Sequence, residues 1–528
     1  MQQHPRSFPL QGNGSPPSAA WGVVGVVMLG NFLGPLYSST SNVIIPNLIA
    51  SFGSDVNTMQ WVVTGYMLGY SITMPLAGWL ADVYGRRRMY LIGLTIFTLA
   101  SILTSFAWTV PALIGLRVLQ AVGGGIISPT GMAIITDVVP QSQRGRALGL
   151  WGMGMMLAPA FGPWISGLIV DNLHDWRLVF WLGVPFGIAG LLASAKVLPK
   201  SEDRRTNIQT GAFDFLGFGL LTGALVAFLV PLSQGNRVGW NDAAIVLSFV
   251  VSSVLFAIFI AWELRTTHPM LNLRLFRDRV FSVAVILRAM VGMGYYFSIF
   301  LLPLFTQVIL GWDPTLSGLI LLPAGLAMGV LMPISGTLAD RVGARYLVFS
   351  GMIMAAYGTF LFARIDTDWS ASHITLDNMF RTAALGLLFT PLTAAAIANV
   401  PRLSMGAASA IINTVWQVGG SIGIAVGQAY LTTQTAMRLN AVASGVTFHN
   451  TAVHIFVQNM EAHMAVPQMA QFIALATLDH MAMLDASVRA YGDTFFLGAA
   501  VLAICSPLAL LLPRKRAEAG IDGARARR

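Results

Sequence analysis

Apolar runs of about twenty residues, each bounded by short polar or charged stretches, recur from one end of the chain to the other. A run of that length crosses roughly 30 Å of hydrocarbon as an α-helix, and only helices and closed barrels satisfy their backbone there. Fourteen runs can be counted, at about 21–46, 59–80, 89–107, 110–136, 147–170, 177–196, 213–233, 243–262, 281–310, 316–338, 346–363, 378–400, 406–432 and 493–512. The pattern predicts an all-α polytopic membrane protein with 14 transmembrane helices. The leader MQQHPRSFPLQGNGSPPSAA is polar and proline-rich, unlike a cleavable signal peptide, and is expected to be a disordered tail.

The polar stretches repeat as well. Residues 74–93 read MPLAGWLADVYGRRRMYLIG and residues 332–351 read MPISGTLADRVGARYLVFSG, nine of twenty positions agreeing at an offset of 258. Such a duplication marks two equivalent halves with a binding site expected between them. An offset of 258 is too long for six helices with short loops, so two further helices belong between the halves. The expected division is a cytoplasmic tail 1–20, a six-helix bundle 21–200, a linker and two-helix insert 201–280, a second six-helix bundle 281–512 with an outer loop 433–492, and a basic tail 513–528. Met460, Met464, Ala465 and Met469 in that outer segment have rough helical spacing and suit an amphipathic helix or a docking surface, with a loosely structured loop as the alternative.

Composition agrees with the pattern: 55% of residues are apolar and 10% charged, against roughly 25% charged in a soluble domain. Cys505 is the single cysteine, which excludes disulfides within the chain and a thiolate cluster. The net charge of +9 is informative through its distribution rather than as a sign of nucleic-acid binding. Of 31 lysines and arginines, 23 fall on one set of alternate connections and five on the other. The positive-inside rule then expects both termini and both copies of the repeated loop in the cytoplasm.

Within the repeat, Gly78 and Gly85, with Gly336 and Gly343 in the second copy, permit close helix approach and a tight turn. Asp82 and Asp340 can face a neighbouring helix N-terminus or pair with Arg86, Arg87 or Arg345, a clasp that would favour one of two alternating states. Fourteen spans with a G-x-L-A-D-x-x-G-R-R-R loop after the second resemble the major facilitator superfamily, and within it the fourteen-helix drug:proton antiporter branch of EmrB/QacA-like multidrug exporters. The resemblance extends over about residues 20–515. Arg117-x-x-Gln120 followed by three glycines at 123–125 is similar to the fourth-helix motif, with Ala121 where glycine is usual. Gly154, Pro159, Gly162, Pro163 and Gly167 resemble the antiporter motif of the fifth helix, and WRLVFWLGVPFGI at 176–188 is also similar. The resemblance implies the major facilitator fold, two six-helix bundles with a two-helix insert, and secondary active export of amphiphilic drugs or toxic compounds by proton antiport from a bacterial inner membrane. It implies as partners a periplasmic membrane-fusion adaptor and an outer-membrane channel, and no metal or cofactor.

One departure bears on mechanism. Relatives typically place an Asp in the first helix where this chain has Tyr37, and often an Arg where it has Trp416. Tyrosine, with an ordinary pKa of about 10, is a poor proton carrier near neutrality. The charges left inside spans are Arg117, Arg288 and Arg381, each costing several kcal/mol unless paired or facing water, while Asp137 and Glu263 are the carboxylates nearest hydrocarbon. A cation-lined cavity would prefer anionic or weakly acidic amphiphiles such as fatty acids; the alternative is that Arg117 and Arg381 merely bond helix carbonyls and fix packing. Asn31, Tyr37, Asn42, Tyr66, Asn413 and Gln417 are candidate cavity residues, with Gln60, Tyr70, Tyr295, Tyr296, Gln307 and Gln428 besides. A metabolite or lipid exchanger of the same fold is the alternative, opposed by the Pro/Gly pattern of the fifth span; a non-transporting sensor lacks a soluble signalling domain. No catalytic constellation occurs: the G-x-S-x-G at 419–423 lies in an apolar span without a strand-to-helix elbow, and the triple glycine lacks the Lys-Ser/Thr of a phosphate loop.

Overall fold

The computed structural model describes residues 18–54, 56–199, 213–267, 269–401, 404–445 and 467–513, together with 455 and 458. It is all-helical among these residues, with α1 Ser18–Phe52, α2 Val56–Tyr84, α3 Arg86–Ser105, α4 Val110–Val138, α5 Arg144–Leu173, α6 Arg177–Trp181, α7 Val184–Val197, α8 Phe215–Val238, α9 Ala243–Arg265, α10 Arg279–Val308, α11 Pro314–Leu319, α12 Leu321–Val342, α13 Ala344–Leu361, α14 Ala371–Ile397, α15 Met405–Gly445 and α16 Pro467–Cys505. The short α6 and α11 lead into α7 and α12, giving fourteen helical units. Thirteen are long and apolar enough to cross a membrane by hydropathy alone. The fourteenth, α2, is diluted by Thr, Gln, Tyr and Gly residues in its sequence and is held along α4 and α15 by packing.

Local chemistry explains where the helices begin. Thr109, Asp214, Asp242, Asp278, Asp313 and Ser370 each accept a hydrogen bond from a backbone N–H in the first turn of the helix that follows. Those donors have no intrahelical acceptor, so a short polar side chain fixes the start. The span expected at 177–196 is interrupted at Leu182–Gly183, where the backbone approaches Tyr37 so closely that a Cβ on Gly183 would overlap its ring.

Helices α1–α7 form one bundle and α10–α16 the other. They meet along two seams: α5 runs against α12 and α14, and α2 and α4 run against α15. The inserted hairpin α8–α9 packs on itself and places α8 beside the α2/α15 seam, where Leu229 and Leu232 cluster with Leu68 and Ala425. Beyond the repeated segments, which carry Pro75 in α2 and Pro333 in α12, Pro129 in α4 has a counterpart in Pro391 of α14.

The segment expected as an outer loop is largely helical where it is described. Residues 433–445 continue α15 and residues 467–492 open α16. Its Ala, Met, Leu and Gln residues are strong helix formers, and low hydropathy removes a segment from the bilayer without preventing a helix. At 41 residues α15 is about 60 Å long, roughly twice the hydrocarbon thickness. Arg438 and Asp493 join the two extensions through an ion pair of 2.5 Å. Met460, Met464 and Ala465 lie outside the described residues, as do the tails 1–17 and 514–528.

Candidate functional site

The first copy of the repeated loop builds a three-residue ion cluster. Gly85 turns the chain with φ 91° and becomes the N-cap of α3, which places Arg86 directly after the turn. Arg86 pairs with Asp82 at 3.3 Å and with Asp137 at 2.5 Å, and donates to the Ala133 carbonyl at 2.9 Å. This joins the ends of α2, α3 and α4. The Asp82 carboxylate in turn faces Gly406, the second residue of α15, so closely that a Cβ there would overlap it. The start of α15, with its unpaired N–H groups and positive end of the helix dipole, favours that negative charge. One turn earlier, a Cβ on Gly78 would stand 2.6 Å from the Gly406 carbonyl oxygen. Arg87 is apart from this cluster, donating instead to the Ala195 carbonyl at 2.6 Å.

The second copy repeats the helix contact. Gly343 turns with φ 94° as the N-cap of α13, and a Cβ on Gly336 would overlap the carbonyl of Gly145, the second residue of α5. Yet Ala344 follows this glycine where Arg86 follows the other, and the last turn of α14 carries no acid equivalent to Asp137. Arg345 lies 5.9 Å from the Tyr346 ring. The side chain of Asp340 lies outside the described residues, as does that of Asn42.

Deep in the first bundle Arg117 is fully buried and well supplied with acceptors. Its Nη1 donates to Gln120 Oε1 at 2.5 Å; its Nη2 donates to Ser41 Oγ at 2.5 Å and to the Tyr37 carbonyl at 3.1 Å. Gln120 donates onward to Ser101 at 2.6 Å, and the Tyr66 ring covers the guanidinium at 4.1 Å. Tyr37 is itself buried: its hydroxyl donates to the Phe180 carbonyl and accepts from the Gly183 N–H at 2.9 Å. Tyr37 therefore fastens α1 to the α6–α7 break and does not line the central cavity.

The second bundle holds Arg288 and Arg381, both buried. Arg288 donates through Nη1 to Thr393 Oγ1 at 2.6 Å and to the Phe389 carbonyl at 3.3 Å, with the Phe389 ring 3.8 Å and the Trp416 ring 4.9 Å away. Arg381 donates through Nη2 to Asn378 Oδ1 at 2.6 Å and lies 4.9 Å from the Phe362 ring. Arg117 and Gln120 in α4, and Asn378 and Arg381 in α14, are thus guanidinium–amide pairs at the same spacing in opposite order. Among the described residues none of these three arginines is paired with a carboxylate. The described carboxylates of the spans sit within about two turns of helix ends or on the α16 extension.

Where the halves meet, Gly34, Pro35, Ser38, Tyr66, Met67, Tyr70, Met155, Tyr296 and Gln417 line a central cavity with room for only about one water. Tyr66 donates to the Gly34 carbonyl at 2.8 Å and Tyr296 donates to Gln417 at 3.3 Å. Of the expected cavity residues, Tyr66, Tyr70, Tyr296 and Gln417 are in this lining. Asn31 instead ties α1 to α5 by donating to the Trp151 carbonyl at 3.1 Å, and Asn413 bonds Ser409 at 2.8 Å beside Met132 of the other half. Met67, Met155, Gly34, Pro35 and Ser38 were not foreseen, because an apolar or small residue in a span carries no sign of which face it occupies.

The fifth-helix pattern has a packing role on both sides of α5. Gly154 and Gly162 accommodate α1 at Met28 and at Ser39, while Gly167 and Pro163 face Thr315 and Gly318 at the α11 end. Pro159 and Pro163 are carried inside one continuous helix. At the end away from the repeated loops Thr315 donates to Asp171 at 3.1 Å across the seam. The loop end is closed by both glycine contacts.

Residues 27–424 match the Major Facilitator Superfamily. The MFS-type transporter YhcA of Bacillus subtilis (strain 168) is 30% identical over 475 residues, 89% of this chain and 88% of that protein. The multidrug export protein EmrB of Haemophilus influenzae is 31% identical over 398 residues, 75% of this chain and 77% of that protein. Among solved structures, the proton:xylose symporter XylE superposes with a TM-score of 0.58 at 14% identity, covering 92% of this chain and 95% of that one, a likeness of fold.

Proposed function

This chain belongs to the major facilitator superfamily, and from that premise we propose that it is a secondary active multidrug exporter of anionic or weakly acidic amphiphiles, such as fatty acids. The export half of the reading is supported by relatives named as multidrug export proteins and by the Gly/Pro pattern of α5 packed between the halves. The preference for anions rests on one observation: three buried guanidinium groups, none paired with a carboxylate among the described residues. Uncompensated positive charge in a low-dielectric bundle favours a substrate that brings its own negative charge. An interior negative by 100 mV drives each such charge outward by about 2.3 kcal/mol.

In this reading the repeated loops face the cytoplasm, and the state described is closed there, clamped by Asp82 against α15 and by Gly336 against α5. Opening inward breaks both contacts and exposes the central cavity between α1, α2, α5, α10 and α15. Proton coupling is assigned to the Asp82–Arg86–Asp137 cluster, because opening the clamp takes the Asp82 carboxylate away from the start of α15. The helical extensions of α15 and α16 provide the surface for a periplasmic adaptor in a double-membrane cell.

Susceptibility of a strain lacking this gene tests the proposal. Sensitivity to a medium-chain fatty acid should rise more than sensitivity to ethidium, and a protonophore should erase the difference between strains. A deletion that sensitises only to cations would reject the anion preference. Equal susceptibility to every compound would reject drug export.

A further inference from the structure

Three buried arginines are not equivalent as anion sites, and the difference lies in which edge of each guanidinium is occupied. In an arginine side chain Nη1 lies cis to Cδ, so the Nε–H and one hydrogen of Nη2 point the same way and form the side-on fork that takes both oxygens of a carboxylate. Arg117 has given that edge away, since Nη2 donates to both Ser41 and the Tyr37 carbonyl, leaving Nε alone without a partner. In Arg381 one Nη2 hydrogen is taken by Asn378, so that edge is already engaged by a protein acceptor at Nη2, and the unpartnered Nε and Nη1 lie on different edges. In Arg288 the anchor is Nη1, held by Thr393 and the Phe389 carbonyl, while Nε and Nη2 are buried and have no acceptor among the described residues.

The surroundings of this free fork connect it with the central cavity. Arg288 lies on α10 two turns from Tyr296, which lines the cavity, and Gln417 of the lining adjoins Trp416 in sequence. The Trp416 ring is 4.9 Å from the guanidinium and 6.1 Å from the Tyr296 ring, so one indole separates the charge from the cavity. Gly292 allows it to come so near: a Cβ there would be 2.7 Å from the Trp416 carbonyl oxygen and 3.1 Å from its ring. Phe389 covers the guanidinium at 3.8 Å, which excludes water and strengthens any ion pair formed beneath it.

We infer that the Nε/Nη2 edge of Arg288 is the headgroup site for a carboxylate-bearing substrate, reached from the central cavity when the Trp416 indole swings aside. This rests on the anion preference proposed above and assigns it to one residue. Arg117 then joins α4 to α1, Arg381 braces Asn378, which donates to the Ile320 carbonyl at the start of α12, and Arg288 alone recognises the substrate. The planar fork suits a carboxylate geometrically, and a lysine ammonium would supply the charge without the paired donors.

The test uses the full chain in lipid nanodiscs and direct binding of tritiated laurate, with methyl laurate as the uncharged competitor and thermal unfolding of the same samples as the control for folding. Wild-type protein should prefer laurate to its ester, and Arg288→Gln should weaken laurate binding by about tenfold or more while leaving the ester's affinity unchanged. Arg288→Lys, which retains charge and bulk if the glutamine variant proves unstable, should lose several-fold of the preference. Equal loss for acid and ester would show a structural role and overturn the inference. An undiminished preference in both variants would overturn it while leaving the anion preference standing. Absence of any preference in the wild type would reject both.

Discussion

Arg117 shows how one residue type serves opposite ends depending on what surrounds it. Its side-on edge is spent on Ser41 and the Tyr37 carbonyl, and its other Nη on Gln120, so it joins α1, α3 through Ser101, and α4 into one unit. Hydrogen bonds to a charged group are each worth about 1.5–3 kcal/mol, and losing the charge leaves several buried acceptors orphaned. Arg117→Gln should therefore lower the thermal stability of the purified protein markedly, and Ser41→Ala should lower it less; equal effects would contradict the network. The sequence identifies such arginines as expensive in a membrane, but not their partners. Serine, threonine and backbone carbonyl acceptors look alike in every span, which is why Ser41, Ser101 and Thr393 escape notice. Tyr37 illustrates the same limit from the other side: a polar aromatic in the first helix suggests a cavity residue, whereas its hydroxyl is consumed by the helix break at Leu182–Gly183.

Between helices the small residues decide the geometry. Gly78 on α2 and Gly336 on α12 meet Gly406 and Gly145, the second residues of α15 and α5, so each seam is closed at the loop end by backbone against backbone. Gly78→Ala would push a methyl to 2.6 Å from the Gly406 oxygen and should hold that end apart. Spin labels across the α2/α15 seam should report a longer distance and transport should fall about tenfold, as a shift of over 1 kcal/mol between states requires. Gly115→Ala, where nothing lies within 4 Å, is the control and should change neither. An unchanged distance in Gly78→Ala would refute the clamp. Much at this scale was legible in the sequence, because a glycine beside an aspartate in a duplicated loop is a strong pattern. The length of α15 and α16 was not: a fall in hydropathy reads as the end of a span, although Ala, Met and Gln continue the helix into water. Nor is the asymmetry between the copies conspicuous in the sequence, because it lies in Arg86 bridging Asp82 and Asp137, a role that Ala344 cannot fill.

For the molecule as a whole, two bundles meet over a cavity that is nearly closed, with positive charge buried in both and paired carboxylates confined to the rims. The extensions of α15 and α16 are peripheral to this arrangement. Arg438 and Asp493 are both partly exposed, and such a pair contributes under about 1 kcal/mol. Arg438→Ala should leave transport by the purified protein unaltered; a loss there would make the extensions part of the transport cycle, and a loss confined to intact double-membrane cells would support docking of an adaptor. The fold and the two-half organisation follow from hydropathy and repetition, which report backbone burial directly. Substrate charge does not, because it depends on which buried donors remain free after the helices have packed. The most direct test of the central claim is the initial rate of export of a fluorescent fatty acid and of ethidium from proteoliposomes, with and without a valinomycin-set potential, interior negative. The anion should be exported faster and the potential should accelerate it; faster export of the cation, or an anion rate indifferent to the potential, would show that buried positive charge does not select the substrate.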